Sequence, residues 1–73
     1  MVAMHTRNID VKVSEGDAEI YHVTATGGEF LGYIIIDDDT CGFSQAPSVE
    51  MLLADEMFDI ATAVTEIDKA LTE

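Results

Sequence analysis

Seventy-three residues, 48% of them hydrophobic, make a chain able to build one small core, close to the size at which a core barely offsets chain entropy. Fifteen Asp plus Glu against 3 Lys plus Arg give a net charge of −12, which excludes direct binding of nucleic acid by counterion release and repels anionic membranes. Cys41 is the single cysteine, so no internal disulfide is available, no Cys/His cluster offers a zinc site, and self-association is the expected source of further stability.

The opening residues, MVAMHTRNID, carry no apolar core of signal-peptide length. Residues 1–7 read as a loose arm or a short lead into the first strand, and a cytoplasmic location is expected. Ile9, Val11 and Val13 alternate with Asp10 and Lys12, the pattern of a half-buried strand over about 8–14. Ser14-Glu15-Gly16-Asp17 then supplies turn chemistry. A second strand, about 19–26, is rich in β-branched and aromatic residues and ends at Gly27-Gly28. That diglycine predicts a hairpin pairing Thr26 with Glu29, Ala25 with Phe30, Val23 with Gly32 and Tyr21 with Ile34, and a third strand over about 29–37. In this register one face carries Tyr21, Val23, Ala25, Phe30, Ile34 and Ile36. The other carries Ile20, His22, Thr24, Leu31, Tyr33 and Ile35.

Asp37-Asp38-Asp39 followed by Gly42 invites a calcium reading, but in the EF-hand spacing Cys41 and Ser48 would occupy liganding positions that neither fits. The triplet therefore reads as an acidic strand end where the chain leaves the sheet, and no metal or cofactor is expected. Pro47 and Ser48 then mark a helix start. Leu53, Met57, Ile60, Val64, Ile67 and Leu71 recur at steps of four and three, the seam of an amphipathic helix over about 48–72. Met51, Ala54, Phe58 and Ala61 flank the seam, leaving Asp55, Glu56, Asp59, Glu66 and Asp68 to water or a partner.

The predicted fold is one α+β domain: a three-stranded antiparallel meander followed by one long C-terminal amphipathic helix packed on one sheet face, β-β-β-α. A helix of roughly 36 Å overhangs a strand of roughly 27 Å, and one helix covers one face only. A homodimer through the helix seam or through the second sheet face, with Leu31, Tyr33 and Ile35, would cover what remains.

No catalytic motif stands out. His22 sits on a strand opposite Tyr33 and reads as a packed aromatic partner. Cys41 has no flanking thiol-protease or redox sequence, and Gly27-Gly28 neither opens a helix nor is followed by the lysine of a phosphate loop. The leading functional reading is thus a non-enzymatic interaction module, a homodimer that binds another protein. A second is an acidic nucleic-acid mimic that inhibits a basic DNA- or RNA-binding protein, presenting Asp37, Asp38, Asp39, Asp55, Glu56, Asp59 and Glu66. A third, a small enzyme or ligand-binding protein with its site between subunits, would have to gather Cys41, His22 and Tyr33 near the acidic loop.

Overall fold

The computed structural model describes residues 2–72. In chain order they form β1 (Val2–His5), β2 (Ile9–Val13), β3 (Ile20–Ala25), β4 (Phe30–Asp37), β5 (Thr40–Gln45) and α1 (Ala54–Thr72). The strands lie in one antiparallel sheet in the order β1-β2-β3-β4-β5, so each lies beside its neighbours in sequence. The α+β class, the antiparallel meander and the C-terminal helix packed on one face follow the sequence reading. The sheet has five strands, not three.

The first additional strand comes from the residues read as an arm. Met4 pairs with Val11 and His5 with Asp10, with an irregularity between Val2 and Met4, and Met4 packs against the core. Met1 lies outside the described residues. The second comes from the stretch read as an exit loop. Asp38 and Asp39 form a two-residue turn instead, with Asp38 at φ 56°, a left-handed conformation that aspartate tolerates better than most residues. Thr40 Oγ1 donates to the Asp37 carbonyl at 2.7 Å, and the chain returns along β4 with Ile36 opposite Cys41 and Ile34 opposite Phe43.

The β3–β4 hairpin keeps the predicted pairs Tyr21–Ile34 and Val23–Gly32, but Thr24 rather than Ala25 faces Phe30. Leu31 is the extra residue of a β-bulge, and a one-residue slip exchanges faces for everything beyond it. Leu31 consequently points into the core, fully buried, and Phe30 joins the outer face. Gly32 follows at φ 149°. A Cβ there would overlap the Ser44 carbonyl oxygen and come within 2.9 Å of the Phe43 ring.

The helix begins six residues later than predicted. Pro47 and Ser48 make a turn in which the Val49 N–H donates to the Ala46 carbonyl at 3.0 Å, while Gln45 Nε2 donates to the Val49 carbonyl at 2.6 Å. The chain then runs irregularly to Leu53, with Val49 and Leu52 packed against the core. Glu56 starts the helix: its carboxylate accepts the Leu53 N–H at 3.0 Å, half of a capping box. Nineteen residues span roughly 28 Å, so α1 matches the length of β4 and the expected overhang disappears. Ile9, Val11, Val23, Leu31 and Ile34 from the sheet and Ile60 and Ala63 from the helix are the buried centre of the core.

Candidate functional site

Of the predicted helix seam, Ile60 is buried and Val64 and Ile67 are half-buried against the core. Leu53, Met57 and Leu71 are instead 62%, 51% and 41% exposed, joined by Met51 at 75% and Phe58 at 72%. Ala63, outside the seam, takes a fully buried position. The helix therefore carries more apolar surface than the sheet beneath it covers. Its flank toward β5 forms one wall of a shallow apolar groove lined by Phe43, Leu52, Met57, Ala61, Val64 and Thr65. At the opposite side, Met4, Tyr21 and Ile36 meet Glu66, Ile67 and Leu71 around a second hollow.

The acidic residues of α1 divide into two kinds. Asp59, read as facing water or a basic partner, is instead half-buried and engaged within the chain: its Oδ2 accepts from Thr6 Oγ1 at 2.8 Å and from Asn8 Nδ2 at 2.9 Å. The two bonds fasten the helix to the β1–β2 loop and hold the carboxyl below the ordinary aspartate range, the Thr6 bond contributing most. Glu56 is committed to the cap. Asp55 and Glu66 are exposed, one turn before Asp59 and two turns after it, so they share its flank. Asp37, Asp38 and Asp39 sit at the β4–β5 turn.

The outer sheet face gathers His22, Phe30 and Tyr33. Ring centroids lie 5.1 Å apart for His22–Tyr33 and 5.0 Å for Phe30–Tyr33, both edge-to-face, the arrangement aromatic rings favour. His22 opposes Tyr33 in the register the sequence predicts. Tyr33 and Ile35 are 37% and 40% exposed, whereas Leu31, predicted beside them, lies on the other side of the sheet. At the β1 end of this face the His5 imidazole pairs with Asp10.

Cys41 packs against the core on the helix side of the sheet, and His22 and Tyr33 stand on the outer side, so one chain does not bring the three together. Burial pushes the Cys41 thiol up, and the nearby Asp68 carboxylate pushes it further, which is the reverse of what activates a nucleophilic thiol. Among the described residues no group of three or more His, Cys, Asp or Glu is placed to hold a metal ion, and no helix is long and apolar enough to cross a membrane.

Sequence reasoning missed the Thr6–Asn8–Asp59 clamp and the outward placement of Phe30. Both depend on contacts or on a bulge that no local pattern encodes. Of the residues read as flanking the seam, Ala61 lines the groove beside β5, whereas Met51 and Phe58 lie exposed outside its lining. Comparison with family models, with curated proteins and with solved structures finds no match for this chain.

Proposed function

We propose that this protein is a non-enzymatic interaction module that works as a homodimer and binds a protein partner. The observation that carries the reading is the set of large apolar side chains, Met51, Leu53, Met57 and Phe58, left more than half exposed around the start of one helix. Large apolar side chains left exposed close together in the chain, here within residues 51–58, point to an association site. Light scattering coupled to size-exclusion chromatography, at low and high salt, tests it. The expected mass is twice 7.9 kDa, more fully populated in high salt because screening weakens repulsion between chains of net charge −12. A monomer throughout, with no enhancement of a hydrophobic dye, contradicts the proposal.

A second reading, mimicry of nucleic acid toward a basic protein, is favoured by a different feature. Asp55 and Glu66 are exposed on the flank turned away from the groove beside β5. Displacement of a labelled duplex from a basic DNA-binding protein should then weaken with salt and with Asp55→Asn plus Glu66→Gln. Salt-insensitive displacement would rule it out.

A further inference from the structure

We infer that the second copy docks along β5: two β5 strands pair antiparallel across a two-fold axis, extending the sheet to ten strands and bringing the Met57–Ala61–Thr65 flanks of the two helices together. This deepens the homodimer reading above and rests on it.

The first argument is the edge itself. β5 ends the sheet, so alternate residues direct unpaired N–H and C=O groups outward. Natural edges are blunted by lysine, proline, inward charge or a bulge. Thr40–Gln45, reading TCGFSQ, has no charge and no proline, and its register with β4 runs unbroken from Thr40 to Gln45. The opposite edge, β1, has four residues and an irregularity in its pairing. An unprotected antiparallel edge is self-complementary, because the two-fold that pairs it with its copy satisfies both strands alike.

Placement of the groove is the second argument. Phe43 from β5 and Leu52, Met57, Ala61 and Val64 line an apolar trough on the helix side of that same edge. Pairing the edges sets trough against trough, so one symmetry operation covers both the open strand and the apolar helix flank.

Charge is the third. Self-association of a chain of net charge −12 is favoured on the surface that carries fewer acids. On α1 the flank carrying Asp55, Asp59 and Glu66 lies toward the β1–β2 loop, and Met57, Ala61 and Thr65 lie toward β5. Asp68, whose field reaches Cys41, lies two turns after Ala61 on this β5-facing flank, and Asp39 directly precedes the pairing strand. In an antiparallel helix pair centred on Ala61, Asp68 of one copy stands level with Ala54 of the other, beside the positive end of its helix dipole and away from its own counterpart.

The area suffices for a modest dimer. A six-residue strand runs roughly 20 Å, and a sheet layer plus a helix layer is about 20 Å deep, giving a contact of roughly 400 Å² per copy, in the range of weak, transient interfaces. A concentration-dependent dimer in the micromolar range is therefore expected.

The test combines sedimentation and light-scattering mass in 0.15 M salt, about 8 Å of Debye length, with amide exchange at two protein concentrations. Ala61→Glu and Met57→Lys alter exposed helix positions, and the helical circular-dichroism signal verifies their fold. Both should weaken dimerisation at least tenfold, Ile35→Lys on the outer face should leave it unchanged, and β5 amides should exchange more slowly at the higher concentration. A dimer that survives Ala61→Glu and Met57→Lys but dissociates with Ile35→Lys overturns this interface while leaving the homodimer intact. A monomer up to about 1 mM overturns the homodimer itself. A β5 edge protected only on adding a foreign peptide overturns the second-copy assignment.

Discussion

Gly32 is the residue on which the register of the sheet turns. It sits directly after the bulged Leu31 at φ 149°, and the space a Cβ needs is taken by the Ser44 carbonyl and the Phe43 ring. Gly32→Ala is expected to lower unfolding stability by about 3 kcal/mol, combining backbone strain with overlap against rigid main chain. Urea denaturation measures it, and a loss under about 1 kcal/mol would show that the strand accommodates a methyl. Asp59 offers a second residue-level test. Its carboxyl is held below its ordinary value by Thr6 and Asn8, so its contribution is present above the unfolded pKa of about 3.9 and lost as pH falls through the lower folded value. Asp59→Ala should therefore be less stable than the parent at pH 7, and the gap should close below about pH 4. A gap independent of pH would mean the loss is packing alone. Neither residue was legible in advance: a glycine inside a strand pattern and an acid on a helix face are common, and their partners lie far along the chain.

At the scale of elements, the sequence pattern identified β2, β3, β4 and α1 because each repeats its apolar residues for long enough to show a period. β1 offers only Met4 as a large core residue within four positions, too short for alternation to register. β5 lacks β-branched residues beyond Thr40 and follows a turn made of aspartates instead of Asn-Gly. Pro47-Ser48 resembles a helix cap, but its turn closes on Ala46, and the signal that belonged to the true start was Glu56. That start is half-capped, since Leu53 has no side-chain oxygen to offer the first-turn N–H groups. Leu53→Ser should raise stability by about 0.5–1 kcal/mol, and Glu56→Ala should lower it by a similar amount. Thermal unfolding followed by circular dichroism reads both. Equal melting points for Leu53→Ser and the parent would indicate that water already serves those N–H groups well.

Taken whole, the molecule holds 15 acidic residues against 3 basic ones, and among the described residues none of its charged groups is buried. Folding thus concentrates repulsion at the surface without internal compensation. Raising salt from 0.01 to 0.15 M shortens the Debye length from about 30 to about 8 Å, and the melting temperature is expected to rise across that range. Calorimetry at constant pH would show it, and a falling melting temperature would imply that the few surface pairs, such as His5 with Asp10, outweigh the net field.

The chain-order sheet also has a consequence in time. Every strand neighbour is a sequence neighbour, so the ladder closes hairpin by hairpin with short loops to bridge, the low-contact-order route that folds quickly. The joint between Asp59 and the Thr6–Asn8 loop spans more than fifty residues and cannot form until α1 has emerged and docked. On a ribosome, the five-stranded ladder would be complete while its inner face still waited for a lid. The last nineteen-residue element is then the step that turns an exposed sheet into a closed molecule.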